Sequence, residues 1–112
     1  MRRRFALSLV VVPVALVAAG CGAGGLGTPI ATNKVDLPPS YRFSPKAIEI
    51  KAGSSVTWTN HDHFTHTVKV GHGPDHRVGR GSSVTISFPR AGTYHYLCTL
   101  HPHDMKGEVI VK

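Results

Sequence analysis

From about residue 35 onward the chain alternates apolar and polar positions in short runs, each closed by glycine, proline or small polar residues. Lys46-Ala47-Ile48-Glu49-Ile50-Lys51 repeats with a period of two, Ala52-Gly53-Ser54 turns, and Ser55-Val56-Thr57-Trp58-Thr59-Asn60 alternates again. A two-residue period sends successive side chains to opposite faces of an extended backbone, so this stretch predicts strand, turn, strand. Further runs cover residues 66–70, 83–88, 93–98 and 107–112, parted by Gly71-His72-Gly73-Pro74-Asp75 and Pro89-Arg90-Ala91-Gly92. No helical periodicity of useful length is present. Short strands at this spacing predict an all-β domain, a sandwich or barrel. Val56, Trp58, Val68, Val70, Val84, Ile86, Phe88, Tyr94, Tyr96, Val109 and Val111 fall on the faces expected to point inward.

The first residues follow a different pattern. Basic Met1-Arg2-Arg3-Arg4 precedes an apolar run over residues 5–19, which Ser8 and Pro13 interrupt. The run falls short of the roughly 20 apolar residues a membrane span needs, and residues 1–20 read as a signal peptide. Leu16-Val17-Ala18-Ala19-Gly20-Cys21 resembles a bacterial lipobox, with Ala18 where Leu is commoner. The resemblance implies cleavage before Cys21 and a diacylglycerol on its sulfur; a plain secretory signal cut nearby is the alternative. The glycine-rich Gly22-Ala23-Gly24-Gly25 then makes residues 21–34 a flexible, lipid-anchored tether, with the folded domain expected over 35–112. An exported protein is expected, anchored on the outer face of the cell membrane or its periplasmic side. Arg2-Arg3-Arg4-Phe5 faintly resembles a twin-arginine signal, and the choice between that route and the general one stays open.

About 90 of the 112 residues remain for folding, enough for one small domain. Composition changes the picture only through its 8 histidines, since 41% hydrophobic and 17% charged residues are ordinary. The net charge of +7 becomes +4 once Arg2, Arg3 and Arg4 leave with the signal. The remaining basic residues are dispersed among acidic ones, so no nucleic-acid partner is expected.

Cysteine usage is more telling. Of the two cysteines, Cys21 would carry lipid, leaving Cys98 as a lone thiol in an oxidising compartment. Metal coordination gives such a thiol a reason to persist; a small buried core residue is the plainer one. Cys98-Thr99-Leu100-His101-Pro102-His103-Asp104-Met105 places thiolate, imidazole and thioether at zero, plus three and plus seven, so one short loop can wrap a single ion. Soft sulfur donors with imidazole select copper over magnesium, calcium or manganese. A second imidazole must come from elsewhere, and Asn60-His61-Asp62-His63-Phe64-Thr65-His66 offers it.

Val56-Thr57-Trp58-Thr59-Asn60, His66-Thr67-Val68, and Tyr94 through Cys98-Thr99-Leu100-His101-Pro102, Met105 and Gly107 together resemble the cupredoxins, in particular small plastocyanin- and amicyanin-like proteins. The resemblance spans residues 35–112. It implies a Greek-key sandwich or barrel of about seven to eight strands holding one copper ion through His66, Cys98, His101 and Met105. Related loops vary in the spacing of the methionine, and His103 is a rival ligand. The resemblance also implies that Thr67 and Thr99 brace the ligand loops, with the Thr67 N–H aimed at the Cys98 sulfur, and that the His101 edge, framed by Leu100 and Pro102, is the electron port. Two residues depart from the family: Thr67 stands where Asn is usual, and Leu97 where plastocyanins have the Tyr before their cysteine.

The implied function is one-electron transfer with redox partner proteins in the cell envelope, by a monomer touching the membrane only through its lipid. No enzyme activity is expected, because a saturated site leaves no position for substrate. A copper storage, delivery or sensing protein is the alternative. His61, His63, His72, His76 and His95 read as solvated or structurally bonded, with a weaker second copper or zinc site among the first four as the other option.

Overall fold

The computed structural model describes residues 26–112. The expected signal peptide, Cys21 and the start of the tether lie outside these residues. Nine strands follow in chain order: β1 (Ile30–Ala31), β2 (Lys34–Leu37), β3 (Ala47–Ile50), β4 (Ser54–Asn60), β5 (His66–Val70), β6 (Asp75–Val78), β7 (Ser83–Phe88), β8 (Gly92–Leu97) and β9 (Lys106–Val111). No helix occurs among the described residues. The strands form an all-β sandwich, with a six-stranded sheet in the order β1-β3-β9-β8-β5-β6 and a three-stranded sheet in the order β2-β4-β7.

The alternation in β4 and β7 shows why these residues form strands. Val56 and Trp58 point into the core and are fully buried, while Ser55, Thr57 and Thr59 point out and sit directly opposite Ser87, Thr85 and Ser83. Each facing pair of hydroxyls makes a hydrogen bond, at 3.0, 2.9 and 2.9 Å. Such cross-strand pairs add a few tenths of a kcal/mol up to about 1 kcal/mol each. Gly53, at φ +90°, makes the turn into β4 in the left-handed region that a side chain resists.

Of the residues expected to point inward, Val56, Trp58, Val68, Phe88, Tyr96, Val109 and Val111 are buried, and Val70, Val84, Ile86 and Tyr94 pack against them partly buried. Three strands went unrecognised in the sequence: β1 has two residues, β6 a single apolar one, and β2 alternates over only four residues without a longer run around it. β1 pairs in parallel with β3, and β2 in parallel with β4. Sheet pairing therefore begins at Ile30, inside the segment read as flexible tether, and Val35 lies within β2 rather than at the domain's edge. The segment read as a loop ending at Asp75 leads instead into β6, whose single apolar residue, Val78, is buried.

The site lies where three strands end. β5 opens with His66, β8 ends one residue before Cys98, and β9 begins one residue after Met105. β8 pairs antiparallel with both β5 and β9, which draws those ends together. Behind them Tyr96 sits edge-on to Phe43 and Trp58, with ring centroids 4.8 and 5.2 Å away. Its ring covers Gly107, directly opposite on β9, so closely that a Cβ there would overlap it.

Candidate metal centre

Asn60, fully buried at the end of β4, shapes the loop that delivers His66. Its side-chain amide donates to the carbonyls of Phe64 and Val78 at 2.8 and 3.0 Å, and its Oδ1 accepts the Asp62 N–H at 2.8 Å. Asp62 is thereby turned inward. One carboxylate oxygen accepts the His63 N–H at 2.7 Å, and the other lies 2.7 Å from His66 Nε2. The hydrogen bond with His66, before all else, holds the Asp62 carboxyl below its ordinary value, with burial opposing the shift. An ionised carboxylate only accepts, so Nε2 is the nitrogen that donates and Nδ1 is the one left free to meet a metal ion. That Nδ1 faces Cys98 Sγ at 3.8 Å.

Cys98 is fully buried. Its sulfur receives the Thr67 backbone N–H at 3.3 Å, and the Thr67 hydroxyl oxygen stands 3.7 Å away. Thr67 and Thr99 join the segments that carry His66 and Cys98: their hydroxyl oxygens are 2.8 Å apart, and the Thr99 N–H donates to Thr67 Oγ1 at 2.7 Å. The loop from Cys98 to Met105 is tied across its base, where Cys98 N–H donates to the Met105 carbonyl at 3.0 Å. Within it the carbonyl of His101 accepts from the N–H groups of both Asp104 and Met105. The Met105 side chain is fully buried, whereas His103 is exposed.

The His101 ring, half-buried, packs against Tyr41 at a centroid separation of 4.5 Å and lies 5.9 Å from the His66 ring. Tyr41 also stacks on Phe64 at 6.1 Å. Tyr41 and Ser40 hold φ values of 53° and 88°, unusual for residues other than glycine and costing about 1–3 kcal/mol each. Tyr41, Phe64 and Leu100 are all exposed, at 41%, 57% and 54%, and exposed Pro102 follows His101.

The structure therefore brings His66 and Cys98 face to face, buries the Met105 side chain at the far end of the Cys98 loop and leaves the His101 ring half-buried, 5.9 Å from that of His66. Among the described residues, no three His, Cys, Asp or Glu side chains converge closely enough to form a cage by themselves. The His101 ring packs on Tyr41. The donor chemistry nevertheless fits a soft ion such as copper: a buried thiol with a backbone donor, an imidazole with its Nδ1 turned to the sulfur, a second imidazole, and a buried thioether. The remaining histidines are scattered. His61 pairs with Asp36, His95 Nδ1 lies 3.9 Å from Glu108, and His63 and His72 are exposed.

Sequence reasoning missed Asp62, Asn60, Tyr41 and Asp75, whose carboxylate accepts from the Thr99 hydroxyl at 2.8 Å. Asp62, four residues before His66, was the one with a local signal.

A sandwich that buries one thiol against an imidazole at the ends of its strands defines a class of small proteins with a single-thiolate metal centre. Comparison with known proteins makes the class specific. The family model of copper binding proteins, plastocyanin/azurin family, matches residues 32–112. Amicyanin-alpha of Methylorubrum extorquens is 33% identical over 105 residues, covering 88% of this chain and 87% of that protein. A chloroplastic plastocyanin of Tetradesmus obliquus is 32% identical over 117 residues, covering 85% of this chain and 79% of its own. A purple cupredoxin from Nitrosopumilus maritimus superposes with a TM-score of 0.66 at 25% identity, over 72% of this chain and all of its own. The chain belongs to the plastocyanin/azurin family of copper proteins, and copper is its cofactor.

Proposed function

We propose that this protein carries single electrons at the cell envelope through one copper ion held by His66, Cys98, His101 and Met105. The observation that carries the reading is the buried Cys98 sulfur, with the Thr67 N–H on one side and His66 Nδ1 on the other. A bound copper ion supplies a one-electron Cu(II)/Cu(I) couple. The protein's own residues do the rest. Asp62 fixes the His66 tautomer, the Thr67 N–H partly neutralises the thiolate, and the base of the Cys98 loop limits movement between oxidation states. Burial of Met105 and exposure of His103 favour the thioether as the fourth donor. Complete burial of three donors leaves no substrate position, and so we assign no enzyme activity. Electrons enter and leave by the half-buried His101 ring, amid exposed Leu100, Pro102, Tyr41 and Phe64, where redox partners dock. The lipobox-like segment around Cys21 supports an exported protein tethered by lipid.

The test is visible absorption and voltammetry of the copper-loaded domain beside a Met105→Leu variant. A strong thiolate-to-copper band with a reversible one-electron wave is expected, and the variant should keep copper and show a raised potential. Weak absorption, sluggish exchange and preferential handover of Cu(I) to an acceptor apoprotein would mark a storage or delivery protein instead.

A further inference from the structure

Hydrogen-bond polarity around Cys98 carries a consequence beyond the ligand set. Three oxygens stand in line behind the sulfur. Asp75 Oδ2 accepts from Thr99 Oγ1 at 2.8 Å, Thr99 Oγ1 is 2.8 Å from Thr67 Oγ1, and Thr67 Oγ1 is 3.7 Å from Cys98 Sγ. A hydroxyl has one proton to give, and an ionised carboxylate has none. Thr99 gives its proton to Asp75. The short contact between the two hydroxyls therefore needs the proton of Thr67, which points toward Thr99 and away from the sulfur. Thr67 is further held in place by the Thr99 N–H it accepts at 2.7 Å. Cys98 is left with one firm donor, the Thr67 backbone N–H at 3.3 Å, although a second stands within reach.

Resting on the copper reading above, the geometry points to Asp75 as a positioning residue for electron transfer: by polarising the Thr99 and Thr67 hydroxyls outward it withholds a hydrogen bond from the Cys98 thiolate and so keeps the reduction potential down. A hydrogen bond to a ligating thiolate draws electron density from sulfur, weakens its donation to Cu(II) and favours the reduced state. Asp75 touches none of the proposed ligands. It acts from β6, across the sheet edge, through two side chains that each follow a ligand in sequence.

The loss of a carboxylate also removes negative charge, which by itself raises the potential, so the test must separate charge from relay. Copper-loaded wild type, Asp75→Ala, Thr99→Val and the double variant are compared by voltammetry and by the position of the thiolate-to-copper band. Thr99→Val keeps the Asp75 charge but leaves the Thr67 proton no acceptor except the sulfur. It is expected to raise the Cu(I)/Cu(II) ratio at fixed potential by about three- to tenfold, tenfold being 59 mV for a one-electron couple, and to move the band to higher energy. Asp75→Ala should shift the ratio in the same direction, and by less once Thr99 is already valine. Should Thr99→Val fail to fold, Thr99→Ala removes the same hydroxyl.

An Asp75→Ala shift of equal size in both backgrounds would show a plain charge effect and overturn the relay. So would a Thr99 variant with unmoved or lowered potential. In either case an intact band in wild type would leave the copper reading standing. Absence of that band in the wild-type protein would remove both.

Discussion

Asp62, 3% exposed, touches the centre through a single hydrogen bond to His66 Nε2. Its charge and its geometry make separable contributions. Asp62→Asn keeps an oxygen able to accept from Nε2 but removes a buried negative charge, which favours the oxidised ion. Copper should be retained, with a higher potential by voltammetry. Asp62→Ala also loses the acceptor that fixes the ring, and copper affinity by chelator competition should fall about 10- to 100-fold. At Tyr96 the effect is on stability. Its hydroxyl and the Trp58 indole N–H are buried without hydrogen-bond partners. Burial pushes the phenol well above its usual 10.0, and the nearby indole opposes the shift only in part. A raised folded-state value means that the phenolate forms in the unfolded chain first. Folding stability therefore contains a component that is intact below pH 10.0 and declines as pH rises beyond it. Tyr96→Phe should remove that decline in denaturant titrations at alkaline pH, and at neutral pH it should change stability by less than about 1 kcal/mol, since no hydrogen bond is lost.

β8 and β9 act as a clamp around the loop from Cys98 to Met105, and Tyr96 packs over Gly107 between them. Any side chain at 107 must move a ring already wedged between Phe43 and Trp58. Gly107→Ala should therefore cost about 1–3 kcal/mol in chemical denaturation, as overpacking of a filled core does. The same elements show what the sequence could disclose. Cys98, His101 and Met105 stood out as candidate donors because they lie on one short stretch, whereas His66 was singled out from its neighbours His61 and His63 only by family resemblance. β1, β2 and β6 were not legible, because β1 has only two residues, β6 only one apolar residue, and the alternation of β2 stands alone at the end of the segment read as tether. Nor were Tyr41 and Asp75, which reach the site only after the chain has folded and whose identities carry no local signature. Thr67 and Thr99 were proposed from family resemblance, whereas the direction of their hydrogen bonds followed only from the position of Asp75.

On the scale of the whole molecule, the exposed apolar residues around His101 gather at the end of the sandwich where His66, Cys98 and Met105 are buried. Leu100, 54% exposed, is part of that surface without being a proposed donor. Leu100→Glu should slow electron exchange with a partner protein in stopped-flow mixing by about tenfold, the effect of losing about 1.4 kcal/mol. The absorption band and potential should stay essentially in place. Equal slowing toward a small inorganic oxidant would show that the substitution had disturbed the centre itself.

β9 lies inside the six-stranded sheet, between β3 and β8, yet it follows every other strand in chain order. A ribosome delivers the amino end first, so β3 and β8 must wait, edges unsatisfied, for the segment that joins them. A chain that emerges amino end first, on whichever side of the membrane it folds, thus cannot close its larger sheet piecemeal. Met105, one residue ahead of β9, reaches its place only when that final insertion occurs, which makes assembly of the metal pocket a late event in the birth of the molecule.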